Sequence, residues 1–227
     1  MLGVVTPVPY LVAVMLALAT GTALCLRARR SPGQWAAVAA RLIALVLLAD
    51  AVSFIVAKLV AGTFSAKTDL PLALCDIAVL VAAAACWWRR PLLVELTYFW
   101  GLAGTLQAVI TPDLNAGFPH LVFFQYLVGH LGIVLAALYL VVGLRIAPRP
   151  GSVLTTFAVT LAYTALVAAV DVLSGANYMF LRRPPGNWTL LRLLGPWPWY
   201  IASAAGVALV LLAALDLPFW IARRHRG

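Results

Sequence analysis

WAAVAARLIALVLLADAVSFIVAKLVAG, from Trp35 to Gly62, decides the fold. It contains only three charged residues, Arg41, Asp50 and Lys58. A helix that crosses a bilayer needs about 20 mostly apolar residues, and this stretch meets that need on its own. The same pattern continues on both sides. Before it, an apolar span runs from about Val4 to Leu26 and ends in Arg27, Arg29 and Arg30. After it come Leu70 to Trp88, closed by Arg89 and Arg90, and about Pro91 to Thr111, which ends at Pro112-Asp113. Further spans cover Phe118 to Leu144, about Ser152 to Leu173, and Trp197 to Ile221. The expectation is an all-α membrane helix bundle of seven spans, forming one integral membrane domain over residues 1–227.

Composition agrees. The chain is 64% hydrophobic and 10% charged, against roughly 25% charged for ordinary soluble domains. Lys and Arg number 16 and Asp and Glu 7. In a soluble protein that excess would suggest nucleic acid. Here the basic residues sit in short loops between apolar spans, with no aromatic-interleaved basic patch, so they read as determinants of topology and the expected partner is membrane lipid. The loops after spans one, three and five, with the C-terminus, carry ten basic residues and no acid. The other loops carry Lys67, Arg182, Arg183 and Arg192. The positive-inside rule then puts the N-terminus outside and the C-terminus in the cytoplasm. No basic region precedes the first apolar run, so the layout is not that of a cleaved signal peptide. Cys25, Cys75 and Cys86 show no CxxC spacing, which gives no metal or redox motif, and no cofactor is expected.

Polar groups inside apolar spans need a local reason, because a carboxylate at a helix centre costs roughly 2.5–3.5 kcal/mol on insertion scales. LPLALCDIA, Leu70 to Ala78, places Cys75 beside Asp76 about two turns below the outer end of span three. Gln107 and Thr111 are four apart near the outer end of span four and share a face. Tyr126 stands one turn above His130 on span five, and Asp171 is near the outer end of span six. Asn177, Tyr178, Arg182 and Arg183 follow in the outer loop. The outer halves of spans three to six thus converge on one polar collection.

Two roles stay open for each central residue. Cys75 is either a small packing residue or a nucleophile, with the helix dipole weak at a second-turn position. His130 is either an interhelical hydrogen-bonding group or the base for chemistry at Cys75. Asp76 either orients His130 or forms a structural pair with Arg41 or Lys58. Arg182, Arg183 and Arg192 are candidates for lipid phosphates. Glu95 and Asp216 are expected to be structural, Cys25 and Cys86 to be packing residues, and His120 to be a solvated residue at a helix mouth.

Five motifs in order resemble one family. They are LPLALCDIA, YFWGLAGTLQAVITPDL (Tyr98 to Leu114), FPHLVFFQYLVGHLGIVLAALY (Phe118 to Tyr139), NYMFLRRPP (Asn177 to Pro185) and LGPWPWY (Leu194 to Tyr200). They resemble the YwaF-like bacterial integral membrane proteins, over about residues 35 to 222. That family is related to the eukaryotic transmembrane acyltransferase that builds polyunsaturated ether phospholipids. The resemblance implies Cys75 as acyl carrier and His130 as its partner. The layout is also similar to intramembrane lipid-ester hydrolases of the androgen-induced type, which use a threonine and a histidine. The functional expectation is an acyl-transfer or lipid-ester hydrolase enzyme in a bacterial cell membrane. Two other readings stay open: a proton-coupled transporter with Asp50, Asp76, Asp171 and His130 as relay, and a non-catalytic lipid-binding membrane protein.

Overall fold

A computed structural model describes residues 7–112, 114, 116–184 and 193–225. Among them the chain is all-helical, with seven helices. They are α1 (Pro7–Arg30), α2 (Gln34–Val60), α3 (Leu74–Trp88), α4 (Pro91–Ile110), α5 (Leu121–Gly143), α6 (Ser152–Ser174) and α7 (Trp199–Arg224). All except α3 are long and apolar enough to cross a membrane. The protein is therefore a multi-pass membrane protein. Asp113, Arg192 and Pro185, named above, lie outside the described residues.

The helix boundaries follow local chemistry. Pro91 stands at the first position of α4, where its missing N–H costs nothing. Arg27, Arg29 and Arg30 close α1, where cations suit the carbonyl end of the helix dipole. Arg89 ends α3 in a left-handed conformation (φ 52°), and Arg145 follows α5 in another (φ 58°). A residue with a Cβ pays roughly 1–2 kcal/mol for that conformation, which glycine adopts freely.

The helix α3 lies at the centre, packed against α2, α4 and α5. Its buried face is built of small residues, Ala78, Ala82, Ala83, Ala85 and Cys86. Without a hydrophobic force between helices in lipid, close backbone approach of this kind is what holds them. Gly101 of α4 shows the same principle: a Cβ there would lie 3.2 Å from Ile133 Cγ2 and 3.3 Å from Ala137 Cβ on α5. The α6 and α7 helices pack on each other and against α4.

Two ion pairs tie the arginine-rich end together, as expected of Glu95 and Asp216. Glu95 is buried and takes Arg149 in a fork, at 2.8 Å from Nε and 2.9 Å from NH2, and also accepts from the Arg149 backbone N–H at 3.0 Å. Asp216 accepts from Arg223 at 2.6 Å. Cys25 and Cys86 are buried among apolar neighbours.

Two features depart from expectation. The first is α3, which begins at Leu74 and not at Leu70, so it is 15 residues long. At 1.5 Å per residue that is about 22 Å, short of the roughly 30 Å hydrocarbon core. The second is α4, which widens into a π-helical turn from Trp100 to Thr105. A π turn carries an extra residue and rotates everything after it.

Candidate functional site

The segment before α3 turns on itself, the Leu72 N–H donating to the Leu70 carbonyl at 2.7 Å, and is held by two tyrosines from the α6 side of the molecule. The Leu70 N–H donates to Tyr178 Oη at 2.9 Å, and Tyr163 Oη donates to the Leu72 carbonyl at 3.0 Å. With Pro71 between them, these backbone groups are taken by side chains and do not enter a helix. Tyr178 Oη also donates to the Ala66 carbonyl at 3.0 Å. Burial pushes its phenol pKa up, so it stays a donor across the ordinary pH range.

This moves Cys75. It is the second residue of α3, in the first turn and not the second. The residue before the helix, Ala73, supplies no side-chain cap. The first backbone N–H groups that find a partner are those of Asp76 and Ile77, both on the Ala73 carbonyl. The Leu74 and Cys75 N–H groups have no acceptor among the described residues. An anion at Cys75 Sγ would sit at the positive end of the helix dipole.

Across from it stands Thr105, which the sequence reading did not single out. Its buried hydroxyl lies 4.0 Å from Cys75 Sγ and donates to it. The preceding residue, Gly104, packs beside Leu74. Thr105 ends the π turn of α4, and that turn is what presents it to α3. A single threonine within an apolar run gave no signal of this, since its direction depends on the π turn.

His130 is half-buried on α5. Its Nδ1 lies 2.8 Å from the Tyr126 carbonyl, one turn up the same helix. A carbonyl only accepts, so Nδ1 carries the proton and Nε2 presents a lone pair. Nε2 has no hydrogen-bond partner among the described residues. The imidazole stacks on the Tyr126 ring at 4.1 Å, and Tyr126 Oη donates to the Ala108 carbonyl of α4 at 2.7 Å.

The helices fix the relative levels. A Cβ on Gly129 would meet Asp50 Oδ2 at 3.2 Å and Val79 Cγ2 at 3.8 Å, so Val79 and Gly129 share a level. Cys75 lies one turn, about 6 Å, nearer the helix start than Val79. The His130 ring climbs one turn in the same direction, because helical side chains lean toward the N-terminus. Cys75 contacts α4 at Thr105, and Tyr126, on which the imidazole stacks, contacts it at Ala108. No hydrogen bond joins Sγ to the imidazole; the thiol's polar partner is Thr105.

The other expected residues separate. Asp171 is fully buried and accepts from the Tyr178 N–H at 2.8 Å. Asn177 closes its own loop: Oδ1 accepts from the N–H groups of Arg182 (3.0 Å) and Arg183 (3.2 Å), and Nδ2 donates to the Arg183 carbonyl (3.1 Å). Gln107 and Thr111 are exposed at the end of α4, where the Thr111 hydroxyl donates to the Gln107 carbonyl at 2.9 Å. Asp76 is exposed beside Cys75 and has no cationic partner among the described residues. The bases considered for it are engaged elsewhere: Lys58 pairs with Asp69 at 3.0 Å, and Arg41 lies over the Trp87 ring. His120 caps α5, accepting from the Val122 N–H at 3.3 Å. Asp50, Asp76, Asp171 and His130 make no hydrogen bond to one another among the described residues.

Beside this region is a cavity of about 390 Å³ lined by Lys67, Thr68, Asn177, Tyr178 and Arg183. Lys67 Nζ lies against Gly175, so its ammonium is directed into the cavity. Arg182 donates to the Ala176 carbonyl at 3.3 Å. Of the headgroup candidates among the described residues, Arg183 lines the cavity, and Lys67 joins it.

The TMEM164 family model matches residues 2–216. The chain belongs to that family. It is also similar to an uncharacterized protein of Treponema pallidum (strain Nichols), 29% identical over 157 residues, which are 67% of this chain and 63% of that protein. The chain thus spans less than two thirds of that curated relative's length. No solved structure matches this TMEM164-family chain.

Proposed function

We propose that this TMEM164-family protein is an intramembrane acyl-transfer or lipid-ester hydrolase enzyme, with Cys75 as nucleophile and His130 as base. The observation that carries the reading is the place of Cys75. It is the second residue of a short helix whose first N–H groups are unpartnered among the described residues, with a buried hydroxyl donating to its sulfur. The YwaF-like resemblance, with its link to an ether-phospholipid acyltransferase, supports the same pair.

The chemistry follows from these groups. His130 Nε2 takes the thiol proton as Sγ attacks the acyl carbonyl carbon of a lipid ester. The Leu74 and Cys75 N–H groups hold the oxyanion. The ester C–O bond breaks, and its electron pair leaves on the lipid oxygen, which takes the proton from the imidazolium. The acyl group stays as a thioester on Cys75. An acceptor hydroxyl or water then gives its proton to Nε2 and attacks the thioester; the C–S bond breaks and the sulfur regains a proton. Lys67 and Arg183 hold the substrate's phosphate beside the reacting ester. In this reading the arginine-rich end faces the cytoplasm and the reaction draws on the outer leaflet of a bacterial cell membrane.

The test is adduct formation. Purified protein incubated with an activated fatty-acyl donor should acquire a hydroxylamine-labile acyl group, mapped by mass spectrometry to Cys75. It should be absent in Cys75→Ala and slowed in His130→Ala. Equal labelling of all three proteins would refute the pair.

A further inference from the structure

A second cavity, of about 420 Å³, opens at the arginine-rich end, on the opposite side of the bundle from Cys75. Arg29 of α1, Arg89 after α3 and Arg145 after α5 line it, with Gly33, Ala36 and Ala37 at the start of α2. No acidic residue among the described ones lines it.

Most neighbouring arginines have their charge answered. Arg27 lies over the Trp35 ring at 4.5 Å and Arg224 over Trp220 at 3.9 Å. Arg149 is bound by Glu95 and Arg223 by Asp216. Arg29, Arg89 and Arg145 have no ion pair, ring contact or side-chain hydrogen bond among the described residues. The Nε of Arg89 is buried and has no partner among the described residues, a position in which a polar group needs an acceptor from somewhere. The first turn of α2 opens onto the same space, preceded by Gly33 with no side-chain cap, so its free N–H groups add positive potential. Arg89 and Arg145 also hold the two left-handed helix-ending positions where glycine would be unstrained.

We propose that this cavity is a binding site for a phosphate group. Three planar guanidinium forks from three helices match the geometry of phosphate oxygens. The site's own charge is uncompensated, and its place at the helix ends is where membrane headgroups carry phosphate. It is separate from the Cys75 region and does not depend on the reading given for it.

The test is ligand-dependent thermal unfolding of the full chain in a non-ionic detergent, titrated with dihexanoyl phosphatidate, inorganic phosphate and dihexanoylglycerol. The phosphate ligand should raise the melting temperature, and phosphate-free dihexanoylglycerol should not. Stabilisation by phosphatidate alone marks a lipid headgroup as the source; equal stabilisation by inorganic phosphate marks a soluble phosphate. In the double variant Arg89→Gly, Arg145→Gly the apparent affinity should fall by roughly tenfold for each arginine removed, the scale of a hydrogen bond to a charged group. The ligand-free melting temperature should hold or rise, because glycine relieves two left-handed positions. Arg30→Gln, an exposed cation outside the cavity, should bind as the parent does. Should the double variant not fold, Arg29→Gln carries the same expected loss. No stabilisation by either phosphate ligand, unchanged affinity in the cavity variants, or an equal loss in Arg30→Gln would overturn the site.

Discussion

The two ends of the bundle close their helices in opposite ways. At the arginine-rich end, helices run to full length and stop in cations. Two of those stops are arginines in a conformation that suits glycine, and their charge faces a cavity. At the other end, α3 stops short, and the chain before it is held by hydrogen bonds from Tyr163 and Tyr178. One end thus gathers fixed positive charge. The other presents the start of a short helix with a thiol on it. An anion in the first cavity meets whole charges; an anion at Cys75 Sγ meets backbone N–H groups and one hydroxyl, with Lys67 and Arg183 set apart in the neighbouring cavity. That difference separates a place suited to holding an anion from one suited to forming an anion in passing, as acyl transfer requires.

The sharpest way to break the comparison is at Cys75. Cys75→Ala should abolish the acyl adduct, while phosphate binding at the far cavity stays as in the parent. His130→Ala should slow adduct formation by about 10²- to 10⁴-fold, the range for loss of a positioned base. Because Nε2 is read as a neutral base, the residual rate should rise with added imidazole. A rate that is indifferent to imidazole in His130→Ala would remove His130 from that role.

Gly101 tests whether the site depends on how closely α4 approaches α5. Gly101→Leu forces a side chain into Ile133 and Ala137 and should cost about 1–3 kcal/mol of stability, as overpacking usually does. Since Gly101 lies in the π turn that ends at Thr105, the adduct rate should fall as well. A drop in melting temperature with an unchanged adduct rate would show that the π turn does not set the position of Thr105.

Thr105→Val keeps shape and removes the hydroxyl. With a single long contact of 4.0 Å to sulfur, the expected loss in adduct rate is about tenfold or less. Cys75→Ser in the same background should not restore it.

How much of this was legible in the sequence divides along the same line. The arginine clusters and apolar runs gave every helix, because bilayer length and loop charge are local properties. The start of α3 was misplaced by four residues, since Thr68-Asp69-Leu70-Pro71 has the form of a helix start. What overrides it is a pair of tyrosines, Tyr163 and Tyr178, about a hundred residues away in the chain. The spacing of Gln107 and Thr111 predicts that they share one face of the helix, near the polar collection. The π turn before them rotates α4, and it turns Thr105 inward while they stand exposed. Asn177 and Asp171 lie in the expected region, but the Asn177 amide and Asp171 Oδ1 serve the loop, while Asp171 Oδ2 is buried without a partner among the described residues. The cavity of Arg29, Arg89 and Arg145 was hidden within the topology signal, where any cation would have counted alike.

The smallest effect concerns the loop that leads to α3. Burial alone would raise the Asp69 pKa, but the Ser65 N–H, the Lys58 ammonium and the Thr68 hydroxyl together bring it below the ordinary carboxylate value. A carboxylate whose pKa is lower in the folded state releases its proton more readily there than in the unfolded chain. Its contribution to stability is therefore present above the unfolded value, near 4, and is lost as the pH falls through the folded one. Asp69→Asn should lower the melting temperature at neutral pH, and the gap to the parent should close on acidification. Lys58→Met should reproduce part of that loss with the same pH dependence, because it removes one of the groups that lower the pKa. The loop bears on α3 only through residues 70–73, so the adduct rate at neutral pH should fall less than in Thr105→Val. A loss in Asp69→Asn larger than that would mean the Lys58–Asp69 pair, as well as the two tyrosines, fixes where α3 begins.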